Sequence, residues 1–203
     1  MNSHVFISMH ILETQIDSLG RRISALVTLL RSSGYVFDRP DEVFPGPDIG
    51  APLAIQQIES AVGDVPLALK LFWLRVGSVD LSGSHPDWQA SGYLDQLIVF
   101  PSAFALYELE EFIGDQEERQ RHDLPYVVPI APDYFHKANV SGGPPYSISI
   151  PAIADDPPLN ETPVTETFIE HIEHALRFGG FPGLTQCEHH NWPVAFLASN
   201  VDG

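Results

Sequence analysis

The chain has a single cysteine, Cys187, among its 203 residues, so no disulfide framework can form within it. Cationic side chains are also scarce. Ten Lys and Arg stand against 27 Asp and Glu, and the formal net charge is -17. A surface of that sign repels nucleic-acid phosphates and anionic membranes. It favours solubility or a basic partner. No run of about 18 apolar residues occurs, so no transmembrane helix is expected. The opening "MNSHVFISMHILETQID" places its first Lys or Arg at Arg21 and has no uninterrupted apolar core before a small-residue cleavage site. No signal peptide is expected, and the expected compartment is the cytoplasm.

Catalytic and cofactor motifs are missing too. "VGSVDLSGSHPDW" (Val76 to Trp88) gathers serines, a histidine and aspartates. A nucleophile elbow needs Gly-x-Ser-x-Gly on a strand-to-helix turn, and the sequence has no such pentapeptide. Pro86 directly after His85 suits a turn better than a catalytic base. "SGGPP" (141–145) and "GGFPG" (179–183) match neither GxxxxGK[ST] nor GxGxxG, and their prolines remove donors that a phosphate cradle would need. His171 and His174 are three apart on a predicted helix, with Cys187, His189 and His190 downstream. That spacing puts two ligands at adjoining positions. No paired cysteines or HExxH pattern joins them, and His174 falls off the apolar side. The expectation is two exposed histidines, with no metal, no cofactor and no enzymatic activity.

What is present suits a folded domain. Hydrophobic residues make up 44% of the chain and aromatics 10%, enough to build a core at this length. Ile11, Leu12, Ile16, Leu19, Ile23, Leu26, Val27 and Leu30 recur at helical spacing, which predicts an amphipathic helix over 11–31. "FDRPDEVFPGPDIGAP" follows, with four prolines and two glycines, and reads as a linker or extended wrap. The division expected is 1–49 for this helix and linker, and 50–203 for the main domain. Helices are expected over 52–62 and 66–76, the second capped by Asp64, stopped by Gly77 and burying Leu69, Phe72 and Trp73. Lys70 and Arg75 alone offer cations on that second helix. With the acidic balance, this argues against a DNA-reading helix pair. Strands are expected at "SVDLS", "YLDQLIVF" (93–100), "PYVVPIAPDYFHK" and "YSISIPA", with helices at "SAFALYELEEFIGDQEERQR" and 165–178. Helices in front, strands in the middle and a helix behind make an α+β domain, with a sheet of about four to six strands.

The acidic cluster is the most informative surface feature. Glu108, Glu110, Glu111, Asp115, Glu117 and Glu118 fall within eleven residues of one predicted helix. Glu111, Asp115 and Glu118 share a face. Such a face is either simply solvated or a docking surface for a basic protein.

"DVPLALKLFWLRVGSVDLSG" resembles the signature helix-to-strand segment of the SUKH superfamily, the Smi/Knr-type domains. The positions that carry the likeness are Pro66, Phe72, Trp73, Gly77 and Asp80. "HPDW", "YLDQLIVF", "PDYFHKANVSGGPPYSISIP" and "GGFPG" are similar to a bacterial branch of it. The resemblance covers roughly 50–183 and leaves the N-terminal helix and the last twenty residues outside. It implies an α+β fold with a twisted, mainly antiparallel sheet packed with helices. It also implies a binding module. Many bacterial members are immunity proteins that neutralise toxin domains, often nucleases; others are regulatory or scaffold proteins. The expected partner is therefore a cognate toxin, basic in character, with no nucleic acid and no membrane. The acidic cluster, His85 and Trp88 are the candidate partner-binding residues, Trp88 as a core or pocket-wall residue.

Overall fold

The computed structural model describes residues 3–87, 94–119 and 125–183, with 3–8 and 116–119 described by their backbone only. The long apolar stripe near the N-terminus builds helix α1 (Ser3–Ser32), and its Ile16, Leu19, Ile23, Leu26 and Leu30 are fully buried. They share one core with residues from across the rest of the chain, Phe72, Ile148 and Ile172 among them. The polar side of α1 is tied down as well. Arg22 Nη1 donates to Glu173 at 2.6 Å, and Arg75 holds Asp17 with two hydrogen bonds of 2.7 and 2.5 Å.

The proline-rich stretch after α1 takes part in the fold. Its start forms strand β1 (Val36–Phe37), which pairs antiparallel with β3 (Gly83–Ser84). The "SGSH" segment is thus one side of a strand pair. Helix α2 (Ala51–Val62) has Pro52 in its first turn, where a missing N–H costs nothing. Helix α3 (Leu67–Arg75) begins after Pro66 and has no side-chain cap. Asp64 lies too far upstream to cap it, and the Asp64 carbonyl instead accepts from the Ala152 N–H at 3.0 Å. Leu69, Phe72 and Trp73 are buried on α3 as the apolar pattern requires.

Strand β2 (Val79–Asp80) pairs antiparallel with β4 (Ile98–Val99). The extended run expected over 93–100 is therefore much shorter. Asp95 has φ +50, which breaks extended geometry just before β4. Helix α4 (Ser102–Arg119) leads to β5 (Tyr126–Ala131), the short α5 (Tyr134–Lys137) and β6 (Tyr146–Ile150). β5 and β6 pair antiparallel, with a register shift between Pro129 and Ala131. Proline has no N–H to give to the ladder there. Helix α6 (Phe168–Arg177) is fixed at its start by a capping box: Thr167 and Glu170 each accept from the other's backbone N–H.

The sheet of four to six strands is not found as one ladder. Among the described residues there are three two-stranded antiparallel pairs. A hydrogen bond from the Phe100 N–H to the Ile130 carbonyl, 2.8 Å, links the second pair to the third. Strands of two residues are too short to sustain a wider ladder. The architecture is mixed helix and strand with small antiparallel sheets. Among the described residues, no helix is long and apolar enough to cross a membrane.

Candidate functional site

A strap running from Arg39 to Asp48 crosses the end of α3. Gly77 ends that helix with φ +96, and a Cβ there would lie 2.0 Å from the Gly46 carbonyl oxygen. The strap and the turn therefore meet backbone to backbone, which only glycine permits. The strap is also pinned to β2. Asp80 N–H donates to the Val43 carbonyl at 3.0 Å, and the Asp80 carboxylate accepts from Arg39 Nη2 and from the Ser82 N–H.

This arrangement leaves a cleft of about 460 Å³ between the strap, β2, β4 and the start of α4. Trp73, Val79, Ile98 and Phe100 form its walls, and Pro45 and Pro47 its lip. Trp73 is locked by a 2.9 Å hydrogen bond from its Nε1 to the Phe100 carbonyl. The charged residues of the lining are Arg39, Glu42, Asp48 and Asp80. Arg39 is already engaged by Asp80 and by Glu42, the latter at 3.2 Å. The charge left over is therefore negative. The size is that of an ordinary ligand pocket, about 300–1,000 Å³.

Helix α4 leaves this cleft with one face outward. Ala103, Tyr107, Glu110, Glu111, Gly114 and Asp115 are all exposed, at the spacing of a single helical stripe. Tyr107 is 55% exposed. The inner face carries the buried Ala105 and Leu109, and Phe112 packs on the Tyr126 ring at 5.1 Å. Glu108 is half-buried on the flank. Burial, helped by the Glu108 charge, pushes the Tyr126 phenol above its ordinary range.

The structure thus exposes Glu110, Glu111 and Asp115 on one face, with Glu108 half-buried at its edge. Glu117 and Glu118 fall in the last turn of α4, and their side chains lie outside the described residues, as does Trp88 altogether. His85 does not line the cleft. Its Nε2 contacts the Ser33 carbonyl at 2.7 Å, and its Nδ1 accepts from the Asp87 N–H at 3.0 Å. Lys70 and Arg75 are held by Glu59 and Asp17.

The two histidines expected to be exposed are not. His171 is 1% exposed and His174 half-buried. Glu166, just ahead of α6, folds back over the first turns of the helix. Its two carboxylate oxygens accept from His171 Nδ1 at 2.6 Å and His174 Nδ1 at 3.1 Å. Burial works against the Glu166 charge, but the two imidazoles outweigh it and hold the carboxyl below its ordinary range. The His171 ring meets Tyr146 edge-on at 5.7 Å, and Lys137 Nζ sits 4.7 Å from the same Tyr146 ring. Lys137 donates to Asp95 at 2.6 Å, and the Tyr146 hydroxyl donates to Asp95 at 3.2 Å. Burial drives the Lys137 ammonium down in pKa against the opposing pull of Asp95. Sequence reading missed Asp95, Lys137 and Glu166. The Thr167-x-x-Glu170 pattern is a local capping signal that could have marked this corner. Among the described residues, no group of three His, Cys, Asp or Glu is arranged to hold a metal ion. Cys187, His189 and His190 lie outside them.

No family model, no curated protein and no solved structure matches the chain.

Proposed function

We propose that this protein is an immunity protein of the SUKH type, which binds a basic bacterial toxin domain, a nuclease by preference, and neutralises it in the cytoplasm. The observation that carries this reading is the outward stripe of α4, where Glu110, Glu111 and Asp115 are exposed together with Tyr107. Acidic residues in one array steer a basic partner and set its orientation. An exposed tyrosine among them supplies the kind of anchor that dominates interface energies. The net charge of -17 extends the same field over the whole molecule. The likeness of the α3-to-β2 segment to SUKH domains supports the same class of function.

The test is co-expression with a toxin encoded beside this protein's gene. The expected result is survival of the producing cell and a complex that co-purifies. Death of the cell despite abundant folded protein, with no complex formed, would refute the proposal.

A further inference from the structure

The cleft and the acidic stripe are one continuous surface. Ala103 lines the cleft and is also the first exposed residue of the α4 stripe. From Ala103 to Asp115 the helix advances about 18 Å, at about 1.5 Å per residue. An extended chain covers that length in about five or six residues. The cleft's walls are aromatic and aliphatic, and Glu42, Asp48 and Asp80 outnumber the single, already paired Arg39 in its lining. A hydrophobic body with cationic neighbours complements that lining.

We infer that the cleft receives one bulky apolar side chain, tryptophan or phenylalanine, from a basic segment of the partner, whose lysines or arginines within the next six positions lie along the α4 stripe. This rests on the reading of α4 as the docking face and gives it a specific occupant. The anchor fills the space between Trp73, Ile98 and the Pro45–Pro47 lip. The flanking cations meet Glu42 and Asp48 at the mouth and Glu110, Glu111 and Asp115 beyond it. Locking of Trp73 to the Phe100 carbonyl and contact of Gly46 with Gly77 keep the walls in place before anything binds. Preformed walls reduce the ordering cost of binding.

The experiment uses the full chain and three synthetic nonapeptides, read by amide chemical shifts and titration. The first is Lys-Ser-Lys-Ser-Trp-Ser-Lys-Ser-Lys. The second carries alanine in place of tryptophan, and the third carries glutamate in place of each lysine. The tryptophan peptide should give saturable shifts at Val79, Ile98 and Ala103. It should bind at least about fivefold more tightly than either control. Ala103→Trp, at an exposed position in the cleft mouth, should remove that preference, so that the tryptophan and alanine peptides bind the variant alike. Equal binding of the tryptophan and alanine peptides, with shifts confined to α4, would overturn the cleft inference while leaving the docking face standing. Binding of N-acetyl-tryptophanamide as tight as that of the nonapeptide would overturn it in favour of a free small ligand. Absence of saturable shifts with the tryptophan peptide would overturn the inference and the α4 docking face together.

Discussion

Glu166→Ala should destabilise the protein by about 1.5–3 kcal/mol, the cost typical of losing a buried hydrogen bond to a charged group. The size follows from what the carboxylate holds. His171 is buried and relies on Glu166 for its Nδ1 hydrogen bond, and its Nε2 has no hydrogen-bond partner among the described residues. Removing the acceptor strips Nδ1 of its partner, while Nε2 already has none among the described residues, so the cost is that of one buried hydrogen bond to a charged group. His174 is half-buried and can turn to water, so its share is smaller. Glu166→Gln keeps the shape and one acceptor and should cost less than the alanine change. Urea unfolding across a pH series measures both. In the folded protein the Glu166 carboxyl lies below its ordinary value of 4.5. Its contribution is therefore full above about pH 4.5 and is lost as pH falls through the lower folded value. The gap between wild type and Glu166→Gln should close as the solution is acidified below pH 4.5. An alanine variant within about 1 kcal/mol of wild type, or a gap that widens on acidification below that point, would refute the reasoning.

Two further changes probe the frame of the cleft. Phe72 is fully buried and meets Phe168 edge-on at 5.4 Å, so Phe72→Ala should lower unfolding free energy by about 3–5 kcal/mol; a near-neutral effect would contradict its placement between α3 and α6. Gly77→Ala forces a left-handed backbone on alanine, at about 1–2 kcal/mol, and drives its Cβ into the Gly46 carbonyl. It should lower the melting temperature and speed hydrogen exchange at the Asp80 amide, which donates to Val43 of the strap. Unchanged exchange would mean that the strap does not depend on that contact.

Legibility in the sequence followed the range of the interactions. The stripe Ile16, Leu19, Ile23, Leu26 and Leu30 announces α1 because helical periodicity is local, and Pro66 through Gly77 bounds α3 for the same reason. The stretch after α1 reads as a linker or extended wrap because its prolines dominate the local signal. Val36 and Phe37 become a strand only because Gly83 and Ser84 come alongside from far along the chain. The histidines of α6 were misplaced because periodicity around the helix alone does not reveal Glu166. That residue precedes the helix and reaches back to His171 and His174. Of the acidic face expected from spacing at Glu111, Asp115 and Glu118, the first two are exposed on α4 and the side chain of the third lies outside the described residues. The cleft beside that face is not legible in the sequence, since it depends on Gly46 meeting Gly77 across thirty residues of chain.

The most direct test of the docking face is the association rate with a toxin domain encoded beside the protein, followed from low to high salt. For the wild type the rate should fall as ions screen the acidic field, over a range set by a Debye length of about 10 Å at 0.1 M salt. Reversal of Glu110, Glu111 and Asp115 to lysine should cut the low-salt rate by about tenfold or more, and should change folding stability by only about 0.5 kcal/mol. A triple variant that associates as fast as wild type at low salt would contradict the claim that α4 is the docking face.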